Sequence, residues 1–83
     1  MLKLDIPEGL REDIAREKHP NRTVAVFVNG SLMCPDQPDD EGDYSLAPAA
    51  VEFHGNVRAQ DLVTITDFVS FRYVHQHGHW HRL

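Results

Sequence analysis

The hydrophobic positions near the start of the chain recur every four residues, which is the spacing of one face of a helix. The members of this stripe are Ile6, Leu10 and Ile14. Asp5 stands where an N-cap would be, and Glu8 follows three residues later, as in a capping box. Pro20 cannot continue a helix. The pattern therefore predicts one helix over about residues 6–18.

After Pro20 the pattern changes to short runs of β-branched and aromatic residues, which indicate strands. Asn29-Gly30 is a strong signal for a two-residue hairpin turn, because such turns need positive φ at both central residues. Gly55-Asn56 gives a similar signal, and Asp67 is expected to mark a further turn. The predicted strands are residues 23–28, 31–34, 51–54, 57–60, 61–66 and 68–76.

One N-terminal helix followed by about six short, mainly antiparallel strands is typical of an α+β fold. The sheet is expected either to stay open and curled or to close into a small barrel. A chain of 83 residues can bury one core, so we expect a single domain over residues 1–83. Its predicted parts are a helix at about 6–18, a hairpin at 22–34, an acidic loop at 35–48 and a β-rich part at 50–83.

Four histidines occupy alternate positions near the end of the chain: His75, His77, His79 and His81. In one long strand they would lie on one face, because side chains alternate along a strand. Imidazole is a common ligand of zinc, nickel and copper. On this interpretation the four histidines are candidate metal ligands.

A second interpretation makes His77-Gly78 the two central residues of a tight turn. His75 would then pair with Trp80, while His79 and His81 would lie on the opposite face. This hairpin returns Trp80 to the apolar side of the sheet, whereas one strand of thirteen residues would exceed the usual length of about 5–6. We therefore favour the hairpin, which leaves His79 and His81 as an adjacent pair of candidate ligands.

The net charge of −5 is unevenly distributed along the chain. Residues 1–43 contain ten acidic and five basic side chains, and no basic patch suggests nucleic-acid binding. Within the acidic loop the spacing differs from that of an EF-hand, so a solvated or partner-binding loop is expected. Its candidate contacts for a basic protein partner are Asp36, Asp39, Asp40, Glu41 and Asp43.

Cys34 is the single cysteine, which excludes an intramolecular disulfide. Its position before Pro35 suggests a small buried hydrophobic residue, since no activating base stands beside it. The chain contains no apolar run of about 18 residues, so neither a membrane span nor membrane binding is expected. These features predict a cytoplasmic protein.

The sequence favours a non-enzymatic protein-interaction module, such as an adaptor, an inhibitor or a subunit of a bacterial or phage assembly. It would require no cofactor, and homo-oligomerisation is compatible with its size. A transition-metal-binding protein that uses the C-terminal histidines is the alternative. A small metal-dependent enzyme is the second alternative, with Glu52, His54 and Asp61 as candidate general bases.

Overall fold

The computed structural model describes residues 2–83, which form helices and antiparallel strands in proportions of about 15% and 40%. The helices are α1 (Glu8–Ala15) and α2 (Pro20–Thr23). The strands are β1 (Leu2–Asp5), β2 (Ala25–Val28), β3 (Ser31–Leu32), β4 (Tyr44–Leu46), β5 (Ala50–Phe53), β6 (Val63–Thr66), β7 (Arg72–Gln76) and β8 (His79–Arg82). The predicted α+β class with antiparallel strands is confirmed.

The strands form two sheets rather than one. The smaller sheet has the order β1-β5-β4, and the larger has the order β3-β2-β6-β7-β8. Every named pair of neighbouring strands in them is antiparallel. The sheets do not close into a barrel, so the barrel alternative is wrong.

The first residues of the chain are a strand, which the helical interpretation missed. β1 pairs with β5, and Leu4 lies opposite Val51. Asp5 is the last residue of this strand and therefore does not cap the helix, whose N-cap residue is Pro7. Leu2, Leu4 and Ile6 also fit an alternating pattern, and pairing with β5 selects the strand over the helix. The helix is consequently shorter than predicted.

Pro20 begins a second helix instead of only ending the first. It occupies the first position of α2, where its fixed φ fits and its missing N–H costs no hydrogen bond. The amides of Arg22 and Thr23 donate to the carbonyl of His19 at 2.9 and 3.1 Å. The predicted strand from Thr23 therefore starts two residues later, at Ala25.

Two of the three predicted two-residue turns are confirmed. Asn29-Gly30 has φ values of 51° and 84°, and His77-Gly78 has values of 54° and 79°, as a two-residue hairpin turn requires. Gly55-Asn56 does not connect two strands: among residues 2–83, no strand covers residues 57–60. The chain turns there at residues 58–61 instead, since the amide of Asp61 donates to the carbonyl of Arg58 at 3.0 Å.

Part of the predicted acidic loop is a strand. Tyr44 begins β4, which pairs with β5 so that Tyr44 lies opposite Phe53. Tyr44 is 2% exposed and its ring centroid is 6.3 Å from that of Phe53. Burial raises the pKa of Tyr44 to about 12. The gain from burying this aromatic pair explains why the segment is ordered.

One hydrophobic cluster joins both sheets and α1. Leu10 of the helix contributes to it, as do Val51 and Phe53 of the small sheet and Val63 and Ile65 of the large one. Each of these five residues has 0% of its surface exposed. They hold the two sheets and the helix together.

The helix approaches the large sheet closely at Gly9. A Cβ atom at this position would lie 2.8 Å from the hydroxyl oxygen of Tyr73, a residue of β7. The hydroxyl is the far end of the Tyr73 side chain, so a larger residue at Gly9 would first displace that side chain.

Candidate functional site

The β4–β5 hairpin places the acidic loop beside a histidine distant in sequence. Residues 35–43 precede β4 and His54 follows β5, so antiparallel pairing brings both to the same end of the small sheet. The amide of His54 donates to the carbonyl of Asp43 at 3.0 Å. His54 thus belongs to the same site as the predicted acidic residues.

The loop has a defined backbone conformation. Gln37 and Asp40 exchange backbone hydrogen bonds of 2.8 and 3.2 Å, which close a tight turn. The Asp36 amide donates to the carbonyl of Tyr44 at 2.9 Å. Cys34 and Asp43 form two bonds, from the Asp43 amide to the Cys34 carbonyl at 2.7 Å and from the Cys34 amide to Asp43 Oδ2 at 2.9 Å. The segment is therefore held in a defined conformation beside the small sheet.

Asp36 lies between a histidine and a backbone amide. Its Oδ2 is 2.8 Å from Nε2 of His54, and its Oδ1 accepts a hydrogen bond of 2.7 Å from the Gly42 amide. The bond from His54 lowers the pKa of Asp36, and the Gly42 amide adds to this effect. The same bond to Asp36 raises the pKa of His54, with Glu41 and Glu52 contributing. The pair is strongest when Asp36 is ionised and His54 is protonated.

Gly42 is required for the approach of the two chain segments. A Cβ atom there would lie 2.5 Å from the carbonyl oxygens of both Cys34 and Pro35. These are backbone atoms, so a side chain at this position would force the loop apart.

Three acidic residues of the loop, Asp39, Asp40 and Glu41, are exposed at the border of an open depression of about 600 Å³. Asp39 and Asp40 point their side chains into solvent without a hydrogen-bond partner among residues 2–83. Glu41 is exposed as well, with its Oε1 3.8 Å from Nδ1 of His54. The five predicted partner-binding residues thus divide into two groups. Asp36 and Asp43 hold the loop, while Asp39, Asp40 and Glu41 are accessible.

The C-terminal histidines form the predicted hairpin, and the long-strand interpretation is wrong. Strands β7 and β8 pair His75 with Trp80, Val74 with His81 and Gln76 with His79. His75 is 7% exposed, with its ring centroid 5.1 Å from that of Trp80. Burial lowers the pKa of His75. It is therefore a residue of the inner face.

Trp80 connects the two sheets through its indole. Its Nε1 donates to the backbone carbonyl of Asp5 at 2.8 Å, and its ring packs against the core cluster. Because His75 lies against this ring, it supports the contact between the sheets.

His79 and His81 lie on the opposite, exposed face, with ring centroids 6.4 Å apart. His77 is in the exposed turn. The four candidate ligands are thus distributed over two faces and a turn. Within residues 2–83, no group of three or more His, Cys, Asp or Glu side chains has an arrangement that could hold a metal ion.

Two of the three candidate bases for an enzyme lie together, and the third lies apart. Glu52 and His54 line the acidic depression. Asp61 lies in the turn at residues 58–61, where its Oδ2 accepts the Arg58 amide at 2.9 Å. That bond lowers the pKa of Asp61.

Cys34 is exposed, so its predicted burial is wrong. Its hydrogen bonds with Asp43 hold this segment at the surface.

The pairing of Asp36 with His54 was absent from the sequence interpretation. Eighteen residues separate the two, and no local motif relates them. The signal that could have revealed the pair is the β4–β5 hairpin, with Tyr44 opposite Phe53. This hairpin was missed because Pro48 and the surrounding acidic residues made its segment resemble a loop.

Comparison with known proteins gives no relative: no family model, no curated protein and no solved structure matches this chain. A helix that is both long and apolar enough to cross a membrane does not occur in residues 2–83.

Proposed function

We propose that this protein is a non-enzymatic interaction module whose acidic loop binds a basic segment of a partner protein. The observation that supports this most is that some carboxylates of the loop hold its backbone while others are left exposed to solvent. Asp36 and Asp43 form the bonds that order the loop, and Asp39, Asp40 and Glu41 remain exposed on it. A protein with this function would act as an adaptor, an inhibitor or a subunit of a bacterial or phage assembly.

Order in the free loop favours binding for a physical reason. A flexible acidic segment loses conformational entropy when it binds, whereas a loop that is already ordered loses less. The Gln37–Asp40 turn fixes the backbone that carries the exposed carboxylates. Lysine and arginine side chains can then form charge-assisted hydrogen bonds with carboxylates in a fixed arrangement.

The location of the charge also favours rapid association. Exposed charges of one sign attract an oppositely charged partner over about 10 Å at 0.1 M salt. His54 lies beneath the loop and bonds to Asp36, so its charge is already compensated. Asp43 is exposed as well but accepts the Cys34 amide, so Asp39, Asp40 and Glu41 supply most of the attraction. We place the module in the cytoplasm, which its lone, unpaired cysteine supports.

The test is binding to a peptide rich in lysine and arginine, measured at several salt concentrations. The wild-type affinity should fall as salt increases, because screening weakens contacts between exposed charges. A triple variant, Asp39→Asn, Asp40→Asn and Glu41→Gln, should bind at least about tenfold more weakly at low salt, a loss of about 1.4 kcal/mol.

The matched control changes three other exposed acids: Asp5→Asn, Glu8→Gln and Glu12→Gln. It alters the net charge by the same amount but leaves the loop intact, so most of the affinity should remain. Equal losses in both triple variants would mean that the peptide responds only to total charge. That result would contradict the proposal.

Metal binding at the hairpin is a second candidate function, supported by the adjacent, exposed imidazoles of His79 and His81. Two imidazoles supply half of a tetrahedral zinc site. Zinc, nickel or copper should raise the unfolding midpoint of tag-free protein, since binding only the folded state stabilises it. Replacing His79 and His81 together by alanine should remove this shift. If none of the three metals changes the unfolding midpoint of the wild type, the metal-binding hypothesis is wrong.

A further inference from the structure

The large sheet has one face that no other element of residues 2–83 covers. We call it the outer face and define it by the side chains that alternate away from the core. They are Ala25, Phe27, Leu32, Thr64, Thr66, Arg72, Val74, Gln76, His79 and His81, as the cross-strand pairs show. Four of them, Leu32, Phe27, Thr64 and Val74, are successive neighbours across β3, β2, β6 and β7.

The exposed large hydrophobic residues of the structure gather around this face. They are Leu32 at 63%, Phe68 at 69%, Val69 at 92% and Leu83 at 72% exposure. Leu32 is part of the outer face, and the ring of Phe68 packs edge-on against Phe27 at 6.0 Å. Val69 directly follows Phe68 in the chain. The Leu83 amide donates a hydrogen bond to the backbone carbonyl of Arg72, a residue of the outer face. Large apolar patches of this kind mark interaction surfaces.

Carboxylates are absent from the outer face, although the chain carries a net charge of −5. None of its ten side chains is acidic. The nearest acidic residue in sequence is Asp67, next to Phe68. Its oxygens accept hydrogen bonds from the amides of Val69, Ser70 and Phe71 and from the Ser70 hydroxyl. Two copies of this acidic chain could therefore meet through the outer face without bringing carboxylates together.

The backbone at Phe68 has a conformation that is unfavourable for a large side chain, and this side chain is mostly exposed. Phe68 has φ = 69°, which is unfavourable for a bulky residue, whereas glycine or asparagine adopts it readily. The bonds to Asp67 hold this conformation. As a result, Phe68 presents its ring above the sheet instead of burying it. Strain that persists at an exposed aromatic residue points to a role outside the monomer fold.

We infer that the outer face binds a second copy of this chain, as a symmetric pair of sheets packed face to face. Sheets pack in this manner at a distance of about 10 Å, and their side chains form a shared core. The four exposed hydrophobic residues offer on the order of 500 Å² of accessible surface, towards the roughly 800 Å² per partner of a specific interface. The exposed side chains of the outer face, such as Arg72 and Gln76, add to this area.

This association is independent of the acidic loop, which lies at the end of the small sheet. A dimer through the outer face leaves Asp39, Asp40 and Glu41 accessible, so each assembly would carry two acidic loops. A small domain also gains stability by burying an apolar face in an oligomer.

The test is sedimentation equilibrium of the full chain from about 10 µM to about 1 mM, a range that reveals dissociation constants up to the millimolar level. The wild type should approach twice the monomer mass of 9.5 kDa. Phe68→Asn and Leu32→Thr, placed at two positions of the apolar patch, should each weaken the dimer at least tenfold. Asparagine tolerates the backbone at residue 68, and threonine suits a strand, so both variants should fold.

The triple variant Asp39→Asn, Asp40→Asn and Glu41→Gln is the control, and it should remain dimeric. Circular dichroism of each variant verifies the fold. A wild type that stays at 9.5 kDa up to 1 mM would overturn the inference. A dimer that survives both Phe68→Asn and Leu32→Thr would overturn it too, because the contact would then lie elsewhere.

Discussion

The acidic loop and the outer face of the large sheet expose opposite kinds of surface on one small protein. At the loop, carboxylates surround His54, and backbone hydrogen bonds fix the conformation. On the outer face, aromatic and aliphatic side chains surround Phe27, and no strand residue is acidic. Each region contains an aspartate whose side-chain oxygen accepts a hydrogen bond from a backbone amide. This residue is Asp36 in the loop and Asp67 in the turn between β6 and β7.

The difference shows how the same residue type can order a segment or remain available to a partner. Asp36 and Asp67 have lowered pKa values, because hydrogen bonds favour their ionised forms. Asp39 and Asp40 accept no such bonds from residues 2–83. Hydrogen bonding, more than charge density, therefore separates structural from accessible acidic residues in this protein.

The largest effect is expected at Gly42. Gly42→Ala would place a Cβ atom 2.5 Å from two backbone oxygens, so the loop must open. We expect a loss of about 3 kcal/mol in the free energy of unfolding, at the upper end of the range for overpacked sites. Denaturant unfolding measures it.

Gly55→Ala is the matched control for this substitution. No atom lies within 4 Å of its added Cβ, and the backbone at Gly55 does not need positive φ. Its unfolding free energy should change by less than about 0.5 kcal/mol. Similar values for the two variants would show that the close packing at Gly42 does not order the loop.

The next effect separates the two faces of the hairpin. His75→Ala removes a ring that packs on Trp80, so we expect a loss of about 1–3 kcal/mol and a change in Trp80 fluorescence. His79→Ala with His81→Ala should cost less than about 0.5 kcal/mol without metal in dilute, monomeric protein, since both side chains are exposed there. Equal damage from the two changes would contradict the assigned faces.

A smaller effect distinguishes His54 from His75 by pH. The pKa of His54 is raised, so its stabilisation is complete below the unfolded value of about 6.5 and disappears as pH rises through the folded value. The pKa of His75 is lowered, so acidification below about 6.5 destabilises the fold until the folded value is passed.

Unfolding midpoints of His54→Gln and His75→Phe between pH 5 and pH 8 test these signs. Relative to wild type, His54→Gln should lose more stability at pH 5.5 than at pH 8. His75→Phe should become more favourable, relative to wild type, as pH falls. Parallel pH profiles for both variants and wild type would mean that neither histidine changes its proton affinity on folding.

The sequence predicted the features that depend on local backbone chemistry. Asn29-Gly30 and His77-Gly78 need positive φ, and their residue types reveal this directly. The register that places His75 opposite Trp80 follows from the length of the second turn. These predictions succeeded because the strands on both sides of each turn pair with each other, so the local signal and the sheet agree.

The features that failed depend on distant partners. Leu2–Asp5 is a strand because β5 is available to pair with it, and the sequence does not specify that partner. The bond between Asp36 and His54 likewise depends on the β4–β5 hairpin. Gly55-Asn56 resembles a hairpin turn, but the following segment leads to β6, which pairs with β2. Long-range pairing decided each of these cases.

The proposed role of the acidic loop is tested most directly by a nuclear magnetic resonance titration with a lysine- and arginine-rich peptide. Backbone amide shifts report which surface the peptide contacts. The loop interpretation predicts the largest changes at residues 37–42 and at His54, with small changes at Leu32 and Val74 on the outer face. Changes concentrated on the outer face, or spread evenly over all exposed acidic residues, would contradict it.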